Sequence, residues 1–148
     1  VHAIDLAKCF LCYLSLQSSS IHTYFWDMKV EDNAFINLIS SRGKVAQIHV
    51  SCTEWRNTFS LEVYGKTGKL KVEGLGGSYG IEKLTYYKMS KSMGIPEIIS
   101  CEYPKPDNSF EKEFKIFEHS IKYDTIPQSD LKNARDILKI VSEIYDNS

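Results

Sequence analysis

Two short stretches of the chain carry side chains of the types that do acid–base or polyol chemistry. In the first, His2 lies three residues before Asp5, a spacing that places an imidazole and a carboxylate on one face of a helix. Histidine is the commonest general acid or base, so His2 is a candidate catalytic residue. A local contact at the start of a helix is the competing interpretation. None of the four histidines has a partner at metal-ligand spacing, and we expect no metal site.

The second stretch is Glu54-Trp55-Arg56-Asn57, at the end of a predicted strand. An aromatic ring beside charged and amide groups suits recognition of a polyol, because the ring stacks and the polar groups bind hydroxyls. A cation–π pair of Arg56 over Trp55 at a sheet edge explains the same residues equally well.

Residues 74–80 (GLGGSYG) invite a phosphate-loop interpretation, but the spacing is wrong. A dinucleotide fingerprint needs G-x-G-x-x-G between a strand and a helix, whereas its last position here is Tyr79 and a strand-like segment follows. We therefore expect a turn with Tyr79 as an exposed aromatic at its tip. Cys9 and Cys12 form an isolated C-x-x-C in an apolar helix, which favours packed thiols over a metal or redox centre.

The composition excludes several classes of protein. A chain of 148 residues fits one domain, and a net charge of −1 gives no electrostatic attraction to nucleic acid or an anionic membrane. The chain lacks an apolar run of about 20 residues, as a membrane helix requires. Four cysteines without a secretion signal predict free thiols and a cytoplasmic location. Because the chain begins with Val1 inside a predicted helix, we expect a fragment of a longer polypeptide.

A β-sheet is expected to position the candidate residues. Residues 31–80 alternate with a period of two, which predicts strands joined by short turns. Apolar and polar residues alternate, which predicts one apolar and one polar face. Turns are predicted at 41–43 and 66–68, each ending in glycine. The expected fold class is α+β, an open, mostly antiparallel (mixed) β-sheet with helices on one face and the other face available for oligomerisation. That second face is predicted to carry His49, Ser60, Glu62 and Tyr64.

The flanking segments are predicted to cover or extend this sheet. We expect a helix over 1–13, a loop over 15–20, and strands over 21–29, 82–89 and 97–103. Asn108 with Glu111 predicts a capping box, and Ser129 or Asp130 opens the last helix. The predicted apolar stripes of these two helices are Phe110, Phe114, Phe117 and Ile121, and Leu131, Ala134, Leu138, Val141 and Tyr145.

Several of these segments resemble one family of enzymes. Residues 1–7 (VHAIDLA) resemble the end of the D-x-G-x-H-x-x-D-L segment of the Gfo/Idh/MocA oxidoreductases. The pattern from Glu31 to Met89 and the tail from Asn108 to Tyr145 are similar to the C-terminal domain of that family. The similarity is greatest to members that handle sugars or nucleotide sugars in surface-polysaccharide synthesis.

The resemblance implies a function that is split between two domains. In the family, an N-terminal Rossmann domain binds NAD or NADP, and a C-terminal domain completes the substrate pocket and mediates oligomerisation. Residues 1–148 resemble only the second, as a single domain. His2 falls on the catalytic histidine, which would act on a sugar hydroxyl proton while hydride moves to nicotinamide. Its partner Asp, the E-K-P lysine and the Gly-rich fingerprint are absent, and Cys12 stands where the family often has Gly.

The first hypothesis is therefore the substrate-binding and oligomerisation domain of an NAD(P)-dependent sugar oxidoreductase. Because the protein must hold and orient the cofactor, we expect this chain alone to bind none and to be inactive. The substrate would be a sugar or nucleotide sugar bordered by Glu54, Trp55, Arg56, Asn57 and Tyr79. Homo-oligomerisation is expected through the open sheet face, with no nucleic acid or membrane partner. The alternative is a stand-alone, non-enzymatic binding or dimerisation module.

Overall fold

The structure, a computed structural model, describes residues 1–92, 94–104, 106–127 and 130–147. The elements in chain order are α1 (His2–Leu11), β1 (Leu14–His22), β2 (Asn33–Ser40), β3 (Val45–Ser51), β4 (Ser60–Tyr64), β5 (Gly68–Glu73), β6 (Glu82–Lys88), β7 (Glu97–Tyr103), α2 (Ser109–Tyr123) and α3 (Leu131–Asp146). They form two compact units, Val1–Trp55 with Asp124–Ser148, and Arg56–Tyr123. The α+β class with open antiparallel sheets is confirmed. The assignment of all 148 residues to one C-terminal domain stays a prediction.

The first unit contains a three-stranded antiparallel sheet in the order β1-β2-β3. Side chains alternate along β2, so Ala34, Ile36 and Leu38 face the core while the residues between them face outward. Residues of α1 and α3 complete this core, which confirms helices on one face of this sheet. Burying each of these leucine or isoleucine side chains stabilises the unit by about 1.5–3 kcal/mol. The core residues are Ile4, Ala34, Ile36, Leu38, Ile137, Ile140 and Ile144.

The second unit contains a four-stranded antiparallel sheet in the order β4-β5-β6-β7. The sequence pattern predicts one sheet, but the strands divide into two, with the division falling at residues 52–59 between β3 and β4. Trp55 lies in this segment with a φ of 57°, a left-handed conformation that does not continue a strand. The predicted strand ranges for β6 and β7 agree with the structure to within one residue.

Helix α2 belongs to the second unit and has no buried residue. Its predicted apolar stripe is present in the sequence, but its members are exposed rather than packed on the sheet: Phe110, Phe114, Phe117 and Ile121. The helix begins directly after Asn108, and the N–H of Ser109 donates to Asp107 Oδ1 at 2.9 Å.

The predicted loop over residues 15–20 is wrong, because these residues belong to β1. A β-bulge at Gln17 places an extra residue between the pairs Leu16–Leu38 and Ser18–Asn37. The bulge reverses which alternate side chains of β1 face the core, so the serines of this strand do not follow one period-two pattern. Strand β1 also ends at His22, and the predicted strand over 21–29 is therefore wrong beyond that residue.

The last helix is capped as predicted but turned to a different face. The Asp130 side chain accepts a hydrogen bond from the N–H of Asn133 at 2.7 Å, whereas Ser129 lies outside the described residues. Four members of the predicted stripe are exposed and only Val141 packs against the core; the exposed members are Leu131, Ala134, Leu138 and Tyr145. The buried residues are Ile137, Ile140 and Ile144, because α3 carries apolar residues on two overlapping stripes. Within the described ranges, no helix is long and apolar enough to cross a membrane.

Candidate functional site

A buried carboxylate organises the loop that follows β1. The Asp32 side chain is only 2% exposed. Its oxygens accept hydrogen bonds from three consecutive backbone N–H groups, those of Tyr24 (3.0 Å), Phe25 (2.8 Å) and Trp26 (3.2 Å). The Asn33 Nδ2 donates a fourth at 3.0 Å. A buried charge is tolerated only when it is compensated, and four donors satisfy this carboxylate.

These hydrogen bonds determine the charge state of Asp32. Burial by itself raises the pKa of a carboxyl group, but the donors from Tyr24, Asn33, Phe25 and Trp26 outweigh it and hold the pKa well below its ordinary value of 3.8. Asp32 is therefore ionised at neutral pH, and its negative charge fixes the three N–H groups of the loop. This explains why residues 23–31 leave the strand that their aromatic and β-branched residues predict.

The loop held by Asp32 presents an aromatic cluster, defined here as Tyr24, Phe25, Trp26 and Trp55. The ring of Trp55 lies 6.0 Å from that of Phe25 in an edge-on arrangement and 6.2 Å from that of Trp26. The ring of Tyr24 stacks on His22 at 4.8 Å. All four members of the cluster are exposed. The cluster is therefore an exposed aromatic surface on a loop whose backbone is hydrogen-bonded to Asp32.

A polar network continues from Asp32 across the outer face of the sheet. Asn33 Nδ2 also donates to Thr53 Oγ1 at 3.1 Å, and Asn33 Oδ1 lies 3.1 Å from His49 Nε2. Since an amide oxygen only accepts, this contact requires the proton of His49 to lie on Nε2. The imidazole also stacks on Phe35, with ring centroids 4.4 Å apart. His49 is exposed, and these two contacts hold its ring in place.

The predicted polyol-binding residues fall on both units. Glu54 and Trp55 belong to the first unit, whereas Arg56, Asn57 and Tyr79 belong to the second. The described ring contacts of Trp55 are those with Phe25 and Trp26. Glu54, Arg56 and Asn57 are exposed. A binding role for these five residues stays a prediction.

His2 is the first residue of α1 and is exposed. It borders an open cavity of about 230 Å³ between the first turns of α1 and α3, lined also by Val1, Asp5, Asp130, Asn133, Ala134, Ile137 and Leu138. Asp5 shares the cavity, but the hydrogen bond described for its carboxylate comes from Asn133 Nδ2 at 2.8 Å. Asp5 therefore joins α1 to α3. A catalytic role for His2 stays a prediction.

The glycine-rich loop between β5 and β6 forms a turn, as its spacing predicts. Some of its backbone donors are already used: the N–H of Gly76 donates to Glu82 Oε1 at 3.1 Å, and that of Ser78 to the Gly76 carbonyl at 2.7 Å. Strand β6 follows instead of a helix. The residues present here therefore do not fit the phosphates of NAD or NADP, which need free N–H groups at a helix start. Tyr79 is exposed on this turn.

The face of the second sheet that carries Glu62 also carries Lys69, Lys71 and Glu73, which form ion pairs. Ser60, Glu62 and Tyr64, predicted to share a face with His49, lie on the second sheet instead. There Glu62 accepts hydrogen bonds from Tyr64 and from Lys69 Nζ at 3.2 Å, and these contacts lower its pKa.

In the described part of the chain, no group of three His, Cys, Asp or Glu side chains is placed to hold a metal ion.

Asp32 and the loop aromatics are not among the predicted site residues, because residues 21–29 are predicted to form a strand. The signal that could have found them is an Asp placed directly before an apolar strand. That position would be buried, and a buried carboxylate needs nearby donors.

Comparisons with known proteins bear on the fold. No family model matches the chain, and no curated protein does. Two solved structures match over nearly the whole chain. One is yvaA from Bacillus subtilis, named provisionally as an oxidoreductase, with a TM-score of 0.76 and 12% identity over 99% of this chain. The other, from Bacteroides fragilis and named in the same way, has a TM-score of 0.62 and 16% identity over 98% of this chain.

This chain spans about half the length of the solved chains it matches, 47% of the first and 46% of the second. At these identities the likeness shows a shared fold, that of roughly half of each of these longer proteins.

Proposed function

We propose that this chain is the substrate-binding and oligomerisation part of an NAD(P)-dependent oxidoreductase that acts on a sugar or nucleotide sugar, as in the Gfo/Idh/MocA family. The observation that carries the proposal is the fold likeness to about half of two longer chains named as oxidoreductases. The resemblance of residues 1–7 and 31–89 to that family supports it independently.

In this proposal the cofactor is held by another part of the complete protein. The glycine-rich turn does not fit a dinucleotide, and the pairings between the described strands are all antiparallel rather than the parallel pairs of a Rossmann fold. The residues of this chain would bind and orient the sugar. His2, exposed at the cavity between α1 and α3, would exchange a proton with a sugar hydroxyl.

Oligomerisation through the outer face of the first sheet is supported by its composition. This face contains hydroxyl, amide, imidazole and aromatic side chains, with no Asp, Glu, Lys or Arg in three registered rows of residues. Depletion of charge is typical of the centre of a protein interface. The rows are Ser18–Asn37–Gln47, Ser20–Phe35–His49 and His22–Asn33–Ser51. The four cysteines are exposed free thiols, so the prediction that Cys9 and Cys12 are packed is wrong. Free thiols support a cytoplasmic location.

The alternative function, a stand-alone binding or dimerisation module, is favoured by the same poor fit of the chain to a dinucleotide. The intact mass of the native polypeptide separates the two. A mass near 17.0 kDa would support the module. A mass larger by a second domain of about 100–150 residues would support the oxidoreductase.

The catalytic assignment is tested in the complete native polypeptide by His2→Asn. Loss of a general acid or base lowers kcat/KM by about 10²- to 10⁴-fold. We expect a loss of this size for NAD(P)-dependent oxidation of the best sugar substrate, whereas the matched change His119→Asn, on exposed α2, should leave the rate unchanged. An unchanged kcat/KM for His2→Asn would show that His2 is not catalytic.

A further inference from the structure

We propose that the aromatic cluster of Tyr24, Phe25, Trp26 and Trp55 is a stacking site for a pyranose ring. This inference rests on the sugar specificity proposed above and assigns the recognition to a loop that the sequence did not single out. The sugar would lie with its C–H face on the exposed rings, while its hydroxyl groups point to the rim of the cluster.

The first observation is the exposure of the cluster. Tyr24, Phe25, Trp26 and Trp55 expose 58%, 65%, 49% and 73% of their surface. Scattered exposed aromatics are ordinary, but these four are linked by ring contacts in the order Tyr24, Phe25, Trp55 and Trp26, and apolar surface that is joined in this way marks binding sites. Aromatic surface of this kind is also the part of a small-molecule site that supplies most of the contact area.

The second observation is that the loop is organised without any partner. Three of its N–H groups are tied to the Asp32 carboxylate. The base of the loop is closed by the N–H of Asp32, which donates to the His22 carbonyl at 3.0 Å, and by Thr23 Oγ1, which donates to the Val30 carbonyl at 3.0 Å. A surface ordered in advance loses little conformational entropy on binding, which suits a small ligand that makes few contacts.

The third observation is the chemistry beside the rings. Asp27 follows Trp26 in the chain and Glu54 precedes Trp55, and both acidic residues are exposed. Each indole therefore has a carboxylate as its neighbour in sequence, and carboxylates accept hydrogen bonds from hydroxyl groups. A pyranose offers an apolar C–H face and a ring of hydroxyls, and the cluster with its acidic neighbours complements both.

The chain contains only two tryptophans, Trp26 and Trp55, and both belong to the cluster. Tryptophan fluorescence therefore reports this site directly. We would titrate the complete protein with the methyl pyranosides of glucose, galactose, mannose and N-acetylglucosamine, and with sorbitol as an acyclic polyol. In a longer polypeptide, further tryptophans would be replaced by phenylalanine before the titration.

We expect a saturable change in emission with at least one pyranoside, with a Kd of about 1 mM, and no saturable change with sorbitol. Phe25→Ala should weaken binding at least about tenfold, since it removes a stacking ring and leaves both reporters in place. The matched change Phe114→Ala, at an exposed phenylalanine of α2, should leave the Kd unchanged. Asp32→Asn, which retains every ring but removes the anchor, should also weaken binding.

Absence of saturation with all four pyranosides, an equal response to sorbitol, or an unchanged Kd in Phe25→Ala would each overturn the proposal. If Phe25→Ala instead converts an oligomer to a monomer without affecting saccharide binding, the cluster is a protein interface. These failures are distinct from failure of the proposed function, which would appear as an absence of NAD(P)-dependent turnover in the complete protein even when the cluster binds sugar.

Discussion

The face that α3 turns to the core can be tested by two substitutions of the same size. Ile140 is 6% exposed and lies in the core with Ile4 and Leu38, whereas Leu138, two residues earlier, is 56% exposed. Replacing either with alanine removes three carbon atoms. At about 0.8 kcal/mol per buried methylene, Ile140→Ala loses about 2.4 kcal/mol of transfer free energy before the cavity is counted.

The cavity adds to that loss, so Ile140→Ala should lower the free energy of unfolding of the first unit by about 2–5 kcal/mol. Leu138→Ala should lower it by less than about 1 kcal/mol, because much of that side chain is already in water. The difference arises only if the helix presents the face seen in the structure. Helix propensity contributes little to the difference between the two variants, since both changes introduce alanine.

Urea denaturation followed by tryptophan fluorescence is a suitable assay, because Trp26 and Trp55 belong to the same unit as α3. With an m-value of about 2 kcal/mol/M, a loss of about 3 kcal/mol moves the midpoint down by about 1.5 M. The m-values of the two variants should agree with that of the parent. If Leu138→Ala lowers the midpoint as much as Ile140→Ala, the helix presents the stripe predicted from the sequence, and the structural assignment of this face is wrong.

Two further predictions concern the Asp32 anchor and the glycine-rich turn. The folded-state pKa of Asp32 is depressed, so the ionised carboxylate stabilises the folded state fully above pH 3.8, and this stabilisation is lost as the pH falls below that value. Asp32→Asn should therefore remove this acid dependence from unfolding followed by tryptophan fluorescence. An identical pH dependence in parent and variant would refute the anchor. Gly74→Ala should reduce stability far more than Gly77→Ala in thermal unfolding, because both glycines have positive φ but only at Gly74 would the added Cβ meet backbone, 2.4 Å from the Ile81 carbonyl oxygen. Gly77→Ala should cost about 1–2 kcal/mol, and an equal loss at the two sites would contradict this prediction.

Strands β3, β4 and β5 could be predicted from the sequence because apolar and polar residues alternate along them, and the turns that precede β3 and β5 contain glycine. Gly43 takes a φ of 71° and its N–H closes the turn on the Ser40 carbonyl at 2.8 Å, as a short hairpin turn requires. Strand β7 agrees with its predicted bounds at both ends. In these segments the local pattern and the tertiary environment favour the same structure, which is why a pattern alone sufficed.

Strand β1 and helix α3 could not be predicted in the same way, since in each the local pattern is compatible with two arrangements. The bulge at Gln17 changes which residues of β1 face the core, and no residue type in the sequence indicates that a bulge is present. In α3, Leu138 and Ile140 are both apolar, so only the position of the sheet beneath the helix selects Ile140. The hydrophobic period of a helix or strand indicates which faces could be buried, and tertiary packing selects one of them.

The loop at residues 23–31 shows why the candidate site was harder to predict than the fold. Tyr24, Phe25 and Trp26 each have high strand propensity, so local propensity favours a strand at this position. A strand would pair these N–H groups with the carbonyls of a neighbouring strand and would leave the buried Asp32 without its donors. Because an unpaired buried charge is far more costly than a lost strand preference of about 1 kcal/mol, the loop turns toward the carboxylate. Burial of Asp32 follows from tertiary packing, so the aromatic cluster follows from the fold and not from the residues of the loop alone.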